Sequence, residues 1–500
     1  MEEHLSPLTL SEARHLLRRT CFGAKPGEAE TFVGRTAREV VDELLTGANN
    51  FPLPNAPTWA NDLPPSRTAS AETKAAFVVS NTEWRIELTE AWIGQMAKNR
   101  LRERLTLFWH DHFVTSYQDY VYSARGYRYL NTLRTNAFGN FKSFVHAIGI
   151  DAAMLIYLDG NINNGNAPNE NYARELMELF TMGPLDKNGA ANYTESDIQE
   201  MAKALSGWGL QTPASWDVRF SFIAFDDGPK TFLGRTGEFG YDDVVTILFE
   251  ERAEQIAHFM AKKLVEEFVY RIADPSLVDS LALVLLNSNF DLLSAYKALF
   301  TDQAFFASTV VGGREKSPID LCVGHLVEMD IVPNTPQANY VRKAIITIDQ
   351  TLLSPPNVAG WPGHREWITT STLASRWSIS DQIVRRYVEP EQILHFAQAM
   401  TPTGSPHAAL ELAIGLAHHM LAIPIEWVEV ADIEEPFEGD LIVNPFPEWF
   451  LNGPAYQRNL VKMFLNGLPW YEWDLGIGGA ADRVVHYVIR LSQFPEYQLM

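Results

Sequence analysis

Hydrophobic positions recur every three to four residues along most of this chain, the spacing that lays an apolar stripe down one side of a helix. In residues 10–19, LSEARHLLRR begins at a Ser cap and closes in basic residues that suit a helix C-terminus. The stretches 76–95 and 98–114 both repeat at about 3.6 residues. Thr194-Glu195-Ser196-Asp197 is a capping-box arrangement, after which Ile198, Met201, Ala202 and Leu205 share one face. Helical patterning returns over 250–300, 316–330, 336–353, 378–400, 407–422 and 480–493, whereas 445–461 is mixed. Residues 51–70 form a Pro-rich connector expected on the surface. Between 211 and 245 the pattern changes to alternation with turn residues, which predicts a small β-hairpin inserted among helices. No internal repeat or low-complexity segment interrupts the series. The expected fold class is mainly α with a minor β insertion.

Composition narrows the partners. At 500 residues and 46% hydrophobic, the chain has material for an extensive core, in one large domain or two fused halves. A formal charge of −22 and a pI near 5.0 argue against nucleic acid, which calls for a basic face to displace counterions. The basic run of Lys98, Arg100, Arg102 and Arg104 reads as a solvated helix face. No apolar run approaches the roughly 18 residues of a spanning helix, so no membrane is expected. The start, MEEHLSPLTL, has neither a basic n-region nor an apolar h-region, and with only Cys21 and Cys322 the plain expectation is a reduced, cytoplasmic protein.

Candidate chemistry concentrates in 158–180, LDGNINNGNAPNENYARELMELF. Counting Asp159 as the first position, side-chain oxygens fall at Asp159, Asn161 and Asn163, and the twelfth position is Glu170. This is the ligand spacing of an EF-hand-like loop, and the cofactor it suggests is Ca²⁺ or Mg²⁺. The glycine stands one place late, at Gly165, and two formal carboxylates imply weak affinity. The alternative is an Asn/Gly-rich turn whose amides cap the following helix. On that helix Ala173, Leu176, Met177 and Phe180 share the apolar side, while Glu170, Arg174, Glu175 and Glu178 lie opposite at ion-pair spacing.

WHDHF at 109–113 is the other loaded stretch. Two histidines at i,i+2 on a helix cannot chelate one ion. His112 falls inside the apolar stripe, as a hydrogen-bonded core histidine or as a general base facing a cleft. No nucleophile elbow, zinc helix or phosphate loop occurs. GIGGAAD at 476–482 follows no convincing strand, so no nucleotide cofactor is expected.

Several blocks together resemble a known family: LSEARHLLRRTCFG, RERLTLFWHDHFVTS, NENYARELMELFTMG with YTESDIQEMAKALSGW, FDDGPKTFLG, KSPIDLCVG, PPNVAGWPGHREWI and LSQFPEYQLM. The chain resembles the domain-of-unknown-function family numbered 1800, a large group of bacterial proteins with no settled activity. The resemblance covers nearly the whole chain and implies one large, mainly helical unit over residues 1–500. It also implies a sulfatase-like partner protein, beside which many exported relatives are encoded. The polar residues it places in family motifs are His112, Asn169, Glu170, Arg174, Glu175, Glu178, Trp208, Lys316, Asn357 and Trp361.

Two functions follow as expectations. One is a hydrolase or polymer-modifying enzyme in which Glu170 or Glu175 is the general base, Arg174 clamps an anionic group and His112 shuttles a proton. Trp208, Lys316, Asn357 and Trp361 would then bind substrate. The other is a non-catalytic helical binding or assembly subunit, in which the same residues form a polar pin. Either way Arg174 is expected to be largely buried against a carboxylate.

Overall fold

The computed structural model describes residues 1–401, 405, 407–428 and 446–500, so residue 445, the first of the stretch read as mixed, lies outside them. Among the described residues helix dominates, and the only strands are two short antiparallel pairs. Leu10–Cys21 is a helix as expected, but its cap is Thr9, whose hydroxyl accepts the Glu12 N–H and whose own N–H donates to the Glu12 carboxylate in return. The β content exceeds the single hairpin anticipated. Trp208–Leu210 pairs with Val218–Phe220, and Lys230–Phe232 pairs with Arg235–Gly237. The first strand starts ahead of residue 211, and helix resumes at Tyr241, earlier than the expected 250, because Asp243 closes a cap on the Gly240 N–H.

The two helical stretches near 76–95 and 98–114 form one element, Ala71–His112, broken at Arg100 by φ 14 and ψ −83. In a straight helix Trp92 and His110 would stand about 27 Å apart at ~1.5 Å per residue. Their ring centroids are 5.5 Å apart. The element is therefore a helical hairpin, and its second arm carries WHDHF back into the interior. Glu103 fastens the fold-back. Its fully buried carboxylate accepts Trp92 Nε1 at 2.8 Å from the first arm, and Arg134 Nε and a terminal guanidinium nitrogen at 3.0 Å from helix Ser123–Asn136.

The Pro-rich connector is mostly exposed, yet Trp59 is buried against Trp84 and donates to Glu87 at 2.8 Å. One contiguous apolar core runs from Leu8 to Tyr497. The C-terminal residues close on 314–316, with Met500 N–H on the Arg314 carbonyl at 2.8 Å and Lys316 N–H on the Gln498 carbonyl at 2.7 Å. Among the described residues no helix is long and apolar enough to cross a membrane.

Removing the Glu103 carboxylate strands a buried guanidinium at the hairpin. Glu103→Ala is expected to lower stability by about 3–5 kcal/mol in urea denaturation, with Glu103→Gln less damaging because it keeps an acceptor. A loss below about 1 kcal/mol for the alanine variant would show that the hairpin does not need this clamp.

Candidate functional site

The second arm of the hairpin ends in Trp109-His110-Asp111-His112, and the loop 355–364 lies across it. Sequence chemistry explains the loop. Asn357 closes a turn by accepting the Ala359 N–H on its own side chain at 2.8 Å and the Gly360 N–H on its carbonyl at 3.1 Å. Gly360 then passes so close to Asp111 that a Cβ would lie 2.4 Å from the carboxylate Oδ1, and its φ of 92° suits glycine alone. That approach lets the Trp361 N–H donate to Asp111 Oδ1 at 2.7 Å.

The result is a cleft of about 160 Å³ whose wall includes Asp111, His112, Lys263, Arg314, Trp361 and His364. Asp111 has no ion-pair partner among the described residues. Burial pushes its carboxyl up to about 7, and Glu267 adds to the rise, against the opposing pull of the Trp361 N–H, Lys263 and Arg314. His112 is held at about 3 by burial, so it is neutral. Its Nε2 donates to the Phe180 carbonyl at 3.0 Å, which leaves Nδ1 with a free lone pair. Trp361 Nε1 and His364 Nδ1 are likewise buried without partners. His110 has the opposite fate. Its Nε2 accepts the Leu353 N–H at 3.1 Å, its Nδ1–H therefore goes to Tyr129 at 3.0 Å, and both nitrogens are used up in structure.

A charge network lines the same cleft. Arg104 bridges Asp320 and Glu267, the latter at 3.2 Å, and Arg314 reaches the second Glu267 oxygen at 2.5 Å. These charges satisfy one another. Lys263, by contrast, has no carboxylate partner among the described residues and is free to meet an anionic group.

Two of the motif blocks that distinguish this sequence, FWHDHF and PPNVAGWPG, thus meet at one carboxyl. The family described as "Protein of unknown function (DUF1800)" matches residues 15–457. The chain belongs to that family. No curated protein and no solved structure matches it. The whole Asp111 cleft lies within the DUF1800 match.

Other residues singled out from the DUF1800 motifs are placed elsewhere. Lys316 turns into the core, with its ammonium 3.4 Å from Glu328 and 3.6 Å above the Tyr497 ring, where substrate has no access. Trp208 packs on Phe220 and Tyr241 beside a void of only 10 Å³. Asn357 is exposed and shapes the loop, and Trp361 is buried in the cleft wall. Arg174 corrects the expectation of burial: its side chain is 37% exposed and reaches Glu195 at 2.6 Å and Glu170 at 3.2 Å. Its helix is too short and too near the surface to enclose it, because Asn171–Glu175 widens directly into a π-helix over Leu176–Thr181. Glu175 is half-buried, and burial raises its carboxyl, with Glu178 adding to the rise and Arg174 opposing it. Neither Glu170 nor Glu175 lines the cleft with His112. The π-helix that follows them reaches the cleft at His112, through the Phe180 carbonyl at 3.0 Å and the Phe180 ring.

The 159–170 loop is knitted to protein groups. Asn163 is buried, donating to the Ala202 carbonyl at 2.9 Å and accepting the Asn169 N–H at 2.9 Å. Asp159 accepts from Asn171 at 3.0 Å, Glu170 pairs with Arg174, and Asn161 is half-buried. Gly165 sits where a Cβ would fall 2.7 Å from the Asp226 nitrogen, so the loop docks on the β insertion. Among the described residues no group of three or more His, Cys, Asp or Glu side chains is placed to hold a metal. Calorimetric titration of the protein with calcium is expected to give flat traces, unchanged in Glu170→Gln. Saturable heat that disappears in the variant would instead establish Asp159, Asn161, Asn163 and Glu170 as a cation site.

Sequence reasoning passed over Asp111, which stands between two histidines that drew the attention. The available signal was the glycine of PPNVAGWPG, a residue type that marks close backbone approach.

Proposed function

We propose that this DUF1800 protein is a hydrolase in which Asp111 transfers the proton. The observation that carries the reading is a carboxyl with no ion-pair partner among the described residues, poised near neutrality, in a cleft whose lining residues His112, Trp361 and His364 each hold an unpartnered buried nitrogen. A carboxyl that titrates near the working pH can both give and take a proton. In the proposed step, water attacks the scissile centre, and protonated Asp111 delivers its proton to the departing oxygen. The ionised carboxylate then recovers a proton from the attacking water, so the enzyme returns unchanged. Lys263 supplies positive charge where negative charge develops. His112 Nδ1 accepts a hydrogen bond and, being neutral, orients a donor without shuttling protons.

The cleft limits what enters. Its 160 Å³ equals the volume of about five liquid waters. It therefore holds the end of a substrate or one polar ring, and a polymer would extend outside it. The second reading, a non-catalytic assembly subunit, draws support from the self-satisfied Arg104–Asp320–Glu267–Arg314 network.

A panel of 4-nitrophenyl glycosides, esters and phosphates separates the two. Turnover of at least one class is expected, falling at least 100-fold in Asp111→Asn with the fold intact. No turnover by the wild type, or equal turnover by the variant, would favour the assembly role.

Stability provides a test that needs no substrate. Folded Asp111 keeps its proton to about pH 7, whereas an unfolded aspartate loses it near pH ~3.9. A raised folded value means that folding takes up a proton between those limits, so stability falls as pH rises through the window. Asp111→Asn has no such cost. Its stability relative to wild type is expected to improve by roughly 3 kcal/mol between pH 5 and pH 8 in urea denaturation. A difference independent of pH would mean that Asp111 titrates normally.

A further inference from the structure

A second cleft, of 630 Å³, opens where the first arm of the Ala71–His112 hairpin meets residues 117–122 and the end of the Pro-rich connector. The charged side chains in its wall are Arg67, Lys74 and Arg85, and no Asp or Glu lines it, in a chain of formal charge −22. None of the three forms an ion pair among the described residues. Lys74 donates to the Arg67 carbonyl at 2.6 Å, and the Arg85 guanidinium stacks 4.2 Å from the centre of the Tyr117 ring. Three like charges sharing one depression repel one another, and an anion between them removes that cost.

The rest of the wall is mainly apolar and aromatic, with Asn81, Thr82 and Gln118 as its polar members. Phe77 stands edge-on to Tyr122 and to Trp84, with centroids 5.9 and 5.7 Å away. Val121, a β-branched residue, is held at φ 58, a conformation that side chains of its kind rarely adopt. Asn81 locks it there. This buried amide donates to the Val121 carbonyl at 2.9 Å and accepts the Ser123 N–H at 2.8 Å. Val78 and Val121, both exposed, add apolar surface beside the cations. The volume falls within the roughly 300–1,000 Å³ of small-molecule sites, and a flat hydrophobic body against rings with a charged head on arginine suits such a wall.

We infer that this cleft is a binding site for a small organic anion with an aromatic body, held by Arg67, Lys74 and Arg85 against Phe77, Tyr117 and Tyr122. It is separate from the Asp111 cleft: the two share no lining residue, and the inference stands whether or not Asp111 supports hydrolysis.

The test is calorimetric titration of the full chain with three probes: 1-naphthyl phosphate, 1-naphthol and inorganic phosphate. 1-Naphthyl phosphate is expected to bind saturably and at least tenfold more tightly than either fragment, because only it uses both halves of the wall. Its affinity is expected to fall at least tenfold in Lys74→Gln/Arg85→Gln. Arg67→Gln/Lys74→Gln changes only exposed side chains, and a drop of at least threefold is expected there, so the outcome survives any folding defect in the first pair. Asp111→Asn is expected to bind as wild type does. Absence of binding by 1-naphthyl phosphate, equal binding by either fragment, or affinity unchanged in both double variants would each overturn the inference.

Discussion

Desolvating a carboxyl while giving it a single backbone N–H is the constraint around which this molecule is arranged. Asp111 is brought inside by a helix that doubles back at Arg100, and its one fixed partner is the Trp361 N–H at 2.7 Å. One neutral hydrogen bond does not offset the loss of water around a full negative charge. The carboxyl therefore remains a proton carrier near neutrality, where a paired aspartate would be a permanent anion. Asp320 shows the contrast within the same region. More deeply buried than Asp111, it faces Arg104 and receives the Ser317 N–H at 3.0 Å, and its carboxyl is held below the usual range.

That contrast divides the interior into structure and chemistry. Arg104, Asp320, Glu267 and Arg314 cancel one another's charge and join the hairpin to the helices on either side. Their pairing costs desolvation but leaves no charge isolated, the condition under which buried ions are tolerated. Among the residues that line the cleft, His112, Trp361 and His364 each keep a buried ring nitrogen without a partner, as do Arg104 and Arg314 at Nε. His364 has a positive φ of 52° on the loop that crosses Asp111, and Asp349 and Leu353, just ahead of that loop, have positive φ as well, a cost met by surrounding packing.

Much of the helical architecture could be read from periodicity, because amphipathic stripes report local burial directly. The break at Arg100 could not, since neither glycine nor proline marks it and the fold-back is enforced by Glu103 bonds to Trp92 and Arg134. The candidate cleft overlaps only in part with the residues picked out from the sequence. His112 and Trp361 were expected to matter, and both line the cleft. Asp111 escaped notice because its meaning depends on a loop 250 residues downstream. Arg174 misled for the opposite reason: its spacing to Glu170 was real, but spacing on one helix does not say which side faces the core. Lys316 belonged to a family block and proved to be a core ion pair with Glu328, which shows that a motif can mark packing as readily as binding.

The central claim is a statement about one proton, and carbon-13 detection of aspartate carboxyls reads that proton directly. The Asp111 signal, assigned by its absence from Asp111→Asn, is expected to titrate with a midpoint near 7, well separated from surface aspartates. A midpoint below about 5 would place Asp111 among ordinary carboxylates. The cleft would then be a structural junction without acid–base capacity.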